Sequence, residues 1–220
     1  KEEHHPEELQ SVDGTSISNE YYSVEFCNQE VILTTREGRQ FKNFILFEDC
    51  GNDGDTYDFS PLEGEQPKLF SLPSCEIRTT SLMEEMILRG EIMLPARLED
   101  RLKEHGDQGA LKIELRISLT KGVNRIEVKC KADNQIYSHR LRMKINTGIF
   151  AEETIASLPF GYIRRNVLKE IPEDWREKYV EIPIDIDVYD GSVSVEDEEH
   201  YFTAFSKGLK EYQFIEDSLY

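Results

Sequence analysis

Leu111, Ile113, Leu115, Ile117 and Leu119 alternate with Lys112, Glu114, Arg116, Ser118 and Thr120. Successive side chains on a strand point to opposite faces, whereas apolar positions on a helix recur every three or four residues. The pattern therefore predicts a strand with one buried face and one wet face, which belongs to an antiparallel sheet. Lys121-Gly122-Val123-Asn124 supplies a turn. Ile126, Val128 and Cys130 against Arg125, Glu127 and Lys129 read as the return strand, and Leu141, Met143 and Ile145 against Arg140, Arg142 and Lys144 as a third. Three amphipathic strands in succession predict an antiparallel meander and not a βαβ unit.

The same texture runs through the rest of the chain. Tyr22, Val24 and Phe26 alternate with Ser23, Glu25 and Cys27; Val31 to Thr35 follows, and Arg36-Glu37-Gly38-Arg39 has a glycine placed for positive φ in a hairpin turn. Further strands are expected at 75–79, 85–95, 182–188, 201–205 and 211–215. Residues 97–109 read as a charged loop with at most one helical turn, and 150–180 as a long irregular crossing that holds the single tryptophan, Trp175. No long segment has helical periodicity. The expected fold is all-β, an antiparallel β-sandwich over residues 17–220, preceded by a polar linker or tag remnant at 1–16 whose His4-His5 pair is a solvated tail. The chain stops on the apolar pair Leu219-Tyr220, which suggests a cut through a longer protein.

Composition narrows the partners. Asp and Glu number 44 against 26 Lys and Arg, a formal net charge of −18. Such a surface repels phosphate backbones and anionic lipid, so neither nucleic acid nor membrane is an expected partner. No apolar run approaches the roughly 20 residues of a membrane span. Cys27, Cys50, Cys75 and Cys130 are far apart and form no C-x-x-C, against a structural zinc site. Reduced thiols and a cytoplasmic location are the expectation.

One stretch stands outside this regular texture. Glu48-Asp49-Cys50-Gly51-Asn52-Asp53-Gly54-Asp55-Thr56-Tyr57-Asp58-Phe59-Ser60-Pro61 packs five carboxylates and two glycines before two aromatics and a proline. A loop of that composition is not expected to bury itself. Three readings stand: it faces a cleft or another domain, it binds calcium, or it is a solvated turn. The calcium reading uses Asp49, Asp53 and Asp55, but Gly51 and Ser60 occupy positions where an EF-hand needs ligands. Asp55 and Asp58 are conceivable acid–base groups, with backbone-capping hydrogen bonds as the plainer role. His139-Arg140 is a mutarotase-like candidate whose simpler role is to orient a neighbour by hydrogen bonding. Arg164-Arg165 either clamps a carboxylate of another domain or balances local charge. Trp175 is either a sugar platform or a residue closing the core.

Several phrases occur in the order found in one family. They are Ser18-Asn19-Glu20-Tyr21-Tyr22, Asn43-Phe44-Ile45-Leu46-Phe47-Glu48-Asp49-Cys50-Gly51, Gly54-Asp55-Thr56-Tyr57-Asp58-Phe59-Ser60-Pro61, Ser138-His139-Arg140-Leu141-Arg142 and Leu158-Pro159-Phe160-Gly161-Tyr162. Asp187-Val188-Tyr189-Asp190-Gly191 and Lys207-Gly208-Leu209-Lys210 complete the set. Together they resemble the C-terminal β-domain of glycoside hydrolase family 38, the retaining α-mannosidases. That resemblance implies a galactose mutarotase-like supersandwich. It implies a parent enzyme that hydrolyses α-mannosides through a covalent glycosyl-enzyme intermediate formed by a carboxylate pair. It also implies a zinc or other divalent metal in the parent, held by an N-terminal α/β domain. No catalytic residue and no metal ligand is then expected in this chain. Its expected partners are the catalytic and helical domains of the same chain and the α-mannoside itself. Tyr57, with Asp55 and Asp58, is the expected substrate-binding group. The rival reading is a stand-alone carbohydrate-binding or mutarotase-like protein, and a third is a calcium-stabilised interaction module.

Overall fold

The computed structural model describes residues 9–54, 59–167, 172–179 and 185–220. Among them the chain is all-β, built of antiparallel sheets with two short helices, as the alternating pattern predicts. It divides into two compact units, residues 1–143 and 144–220, a division that the even strand texture of the sequence does not announce.

In the first unit the dominant sheet orders Gln10–Val12, Ser74–Thr79, Met83–Pro95, Gln108–Thr120 and Glu127–Asn134 side by side. Its centre is the long hairpin of Met83–Pro95 on Gln108–Thr120, in register from Thr120 opposite Met83 to Gln108 opposite Pro95. Leu111, Ile113, Leu115, Ile117 and Leu119 are all buried, with Met86 and Leu88 on the partner strand. Burying each such side chain contributes roughly 1.5–3 kcal/mol, which makes this face the main apolar anchor of the unit. Gly122 turns the chain with φ of 72°, where a side chain would be strained. The wet face carries a lattice of charge. Arg78 donates to Glu76, Arg89 to both Glu76 and Glu114, and Arg116 to Glu114, at 2.7–2.8 Å.

A smaller sheet orders Ser16–Ser18, Tyr22–Cys27, Glu30–Thr35 and Gln40–Phe41. Asn28 and Gln29 link two of its strands with φ of 52° and 64°, the double positive φ of a type I′ hairpin. Gly38 has φ of 88°, as its turn requires. A third sheet places Ile45–Gly51 between Lys68–Phe70 and the strand His139–Asn146, which begins in this unit.

The second unit holds a four-stranded sheet, ordered Gly161–Asn166, Glu153–Leu158, Ser192–Glu196 and Tyr201–Phe205. Ala156, Val193 and Val195 from its strands are buried with Ile149, Phe214 and Leu219. Tyr189 and Tyr212 meet edge to face in that core, 5.7 Å apart. Ile145 and Asn146 pair with Leu219 and Ser218.

Five expectations need correction. Gln10–Val12, inside the stretch read as linker, is a strand paired with Ile77–Thr79. Val128 and Cys130 are exposed, because Glu127–Asn134 is the edge of its sheet and neither face is covered. The third amphipathic strand leaves the meander for the sheet of Ile45–Gly51, so the meander runs through Ser74–Thr79 instead. The supposed crossing at 150–180 contains a regular hairpin, Glu153–Leu158 on Gly161–Asn166. Trp175 opens the short helix Trp175–Lys178, half-buried with the Arg176 guanidinium over its ring, and is not among the described core residues.

Candidate functional site

The acidic stretch is half strand and half hairpin. Ile45–Gly51 runs through Glu48, Asp49 and Cys50, and all three are buried, contrary to the expectation that such a composition stays in water. A strand buried on both faces tolerates two carboxylates only if each meets hydrogen-bonding partners. His139–Asn146 provides them. Arg142 donates to Glu48 Oε1 through Nε at 2.9 Å and Nη2 at 2.6 Å. On the opposite face His139 Nδ1 lies 2.5 Å from Asp49 Oδ1, both side chains only 2% exposed.

Asp49 also meets a guanidinium. Arg101 Nη2 lies 3.1 and 3.0 Å from its two oxygens, and the Arg101 side chain is 1% exposed. Burial works against the charged carboxyl, but the hydrogen bonds from His139 and Arg101 prevail and hold Asp49 below its ordinary pKa. Arg101 Nη1 also donates to Glu65 Oε1 at 2.5 Å. Glu65 lies just beyond the acidic hairpin, its backbone N–H donating to Leu62. Arg101 reaches this position from the helix Leu98–Arg101, within the charged segment where one helical turn was expected. Gly106 lets that segment fold tightly: a Cβ there would lie 2.2 Å from the Asp100 carbonyl oxygen.

The hairpin itself has a built stem. Asn52 and Pro61 form a bridge, Leu62 N–H donates to Gly51, Asp53 N–H to Ser60, and the Ser60 hydroxyl to the Asp53 carboxylate at 2.8 Å. Asn52 N–H donates to the Ser138 carbonyl at 3.0 Å. Arg140 lays its guanidinium on the Phe59 ring, 3.4 Å from the centroid. Asp55, Tyr57 and Asp58, the expected substrate-binding residues, lie outside the described residues.

The remaining candidates settle more simply. His139 orients Asp49, the plainer of its two readings; its Nε2 faces the Asn134 amide. Arg164 pairs with Glu153 and Glu196, and Arg165 with Asp187 and the Val188 carbonyl, which is local charge balance. The four cysteines are free thiols, as expected, and burial pushes the Cys50 thiol above its ordinary range.

A calcium site using Asp49 does not fit, since its oxygens are committed to Arg101 and His139. Among the described residues no group of three His, Cys, Asp or Glu is arranged to hold a metal. No helix among them is long and apolar enough to cross a membrane. Sequence reasoning missed Arg101 and Glu65, because both sit in charged stretches that read as solvated. The one available signal was Glu48-Asp49 directly extending the apolar run Phe44–Phe47, which demands buried cations from elsewhere.

Comparison with known proteins agrees with this architecture. Residues 17–218 match the Glycosyl hydrolases family 38 C-terminal domain, and the chain belongs to that family. Among solved structures, an alpha-mannosidase from Enterococcus faecalis V583 superposes with a TM-score of 0.79 at 21% identity. The match covers 98% of this chain and 26% of that one. A protein in the Glycosyl Hydrolase Family 38 from Enterococcus faecalis gives 0.76 at 20% identity, covering 98% and 27%. At these identities the likeness establishes the fold. The chain spans about a quarter of the length of the solved chains it matches. No curated protein sequence matches it.

Proposed function

We propose that this chain is the β-domain of a longer α-mannosidase, and that its acidic hairpin forms part of the wall of the sugar cleft. In this reading the bond-breaking carboxylates and the divalent metal belong to a catalytic domain elsewhere in the parent chain. The parent is a retaining glycosidase acting on α-mannosides in the cytoplasm, a compartment that suits four free thiols. Tyr57 stacks on or hydrogen-bonds the sugar, and Asp55 and Asp58 accept hydrogen bonds from its hydroxyls.

Membership of the family supports the reaction class. The observation that carries the placement of the hairpin is its stem. A loop meant only to reverse the chain needs a turn; this one is fastened at both legs, by Asn52 to Ser138 and by Phe59 to Arg140. Rigid support of that kind suits residues that must meet a ligand in one geometry.

The test has two arms. The isolated chain is expected to release no aryl alcohol from an aryl α-mannoside, while the full reading frame does. Tyr57→Ala in the full-length protein lowers kcat/KM by about 10-fold or more, the cost of a lost positioning contact. Turnover by the isolated chain would overturn the placement of the chemistry. Tight binding of mannose or galactose by the isolated chain would favour a stand-alone sugar binder.

A further inference from the structure

We infer that Arg101 is a positioning residue for the acidic hairpin, acting through a two-sided clamp made with Glu65, Asp49, His139 and Arg140. The inference rests on the reading above that this hairpin borders the sugar.

Neighbouring residues on a strand face opposite ways, so His139 and Arg140 address the two sides of their sheet. On one side His139 holds Asp49, Asp49 holds Arg101, and Arg101 holds Glu65 on the chain leaving the hairpin. On the other side Arg140 covers Phe59 on the returning leg. Between them the Ser138 carbonyl accepts from Asn52 on the outgoing leg. Three consecutive residues, 138–140, thus anchor both sides, and Arg101 carries the tie on from Asp49 to Glu65.

Stability alone does not call for this arrangement. Glu65 Oε2 and Arg101 Nε are buried without a hydrogen-bond partner among the described residues, and each such atom costs free energy. Buried ion pairs are also poor stabilisers compared with apolar packing of the same volume. What they provide is direction, since charge-assisted hydrogen bonds are short and geometrically narrow. The backbone makes room for the clamp as well. A Cβ on Gly51 would lie 2.0 Å from Glu65 Oε2 and 3.1 Å from Arg101 Cδ, so the Glu65 carboxylate occupies space that only glycine leaves.

Hydrogen exchange resolved to single amides tests the clamp in this chain. Arg101→Met is the direct variant, and Glu65→Gln and Arg140→Gln each loosen one tie while leaving the Asp49 pairing in place. In all three, exchange at the stem amides of Asp53 and Leu62 accelerates about 10- to 100-fold, the weight of one charge-assisted contact. Amides of Leu111–Leu119 keep their wild-type rates in the two milder variants. Equal acceleration in both regions of those variants, or none in the stem, would overturn the clamp. In the full-length enzyme Glu65→Gln raises KM for an aryl α-mannoside about 10-fold with kcat nearly unchanged. Faster stem exchange with an unaltered KM would refute the hairpin's place at the sugar and leave the clamp standing. A raised KM with unaltered stem exchange would refute the clamp.

Discussion

The first unit uses the same pair of ions in two ways. On the wet face of the long sheet, Arg78, Glu76, Arg89, Glu114 and Arg116 form a lattice whose members stay in contact with water; Arg89 is 40% exposed. Around Asp49, Arg101 and His139 are sealed from it. Distances in the two sets overlap, so geometry does not separate them; solvent does. An exposed pair exchanges hydration for a contact of similar worth, whereas a sealed pair leaves an uncompensated charge when either partner is lost. The lattice keeps the open face of the sheet hydrated, and the sealed set fixes where chain segments lie.

Asp49→Ala is the sharpest way to break this contrast. It strips the buried Arg101 guanidinium and the His139 ring of their shared partner at once and is expected to lower stability by about 3–5 kcal/mol, read from urea unfolding. Gly51→Ala comes next, at about 1–3 kcal/mol, because the new methyl must displace Glu65 from Arg101. Glu114→Gln in the lattice is expected to cost within about 1 kcal/mol, although it touches two arginines, and the loss shrinks further in high salt. A cost for Glu114→Gln equal to that of Asp49→Ala would erase the distinction drawn here.

Acid sharpens the comparison from another side. Arg78 and Arg89 hold the Glu76 carboxyl at about 2 against an ordinary 4.5. The unfolded chain therefore binds more protons between those values. Whatever Glu76 contributes is complete above pH 4.5 and fades as pH falls through about 2. Asp49, held below its ordinary 3.8, behaves in the same sense. Stability measured from pH 5 downward falls in the wild type, and the fall is shallower in Asp49→Ala than in Glu76→Gln, because water screens the Glu76 pairs.

What the sequence revealed follows the same divide. Alternation in Leu111–Leu119 is a local property, and the strand, its buried face and the glycine turn at Gly122 were all legible. Legibility ended where a residue's surroundings come from distant chain. Val128 and Cys130 alternate as well as Leu115 does, but nothing covers an edge strand. The regular hairpin at 153–166 hid behind Pro159 and Gly161, which mark its turn and not a break in order. Arg101 and Asp49 are 52 positions apart, and no periodicity links them. The family phrases did locate the acidic hairpin, since its order along the chain is itself a local signal. They left its buried root unseen.

The exposed outer strand Glu127–Asn134 has a consequence for life in a crowded cell. Among the described residues no strand pairs with its outer side, and an open edge of that kind is the template on which fibrils grow. Glu127, Lys129, Lys131 and Asp133 stand along it, two basic residues flanked by two acidic ones, so an antiparallel copy paired in register would set like charge against like. The strand left uncovered thus carries in its charged side chains the guard against being extended by a stranger.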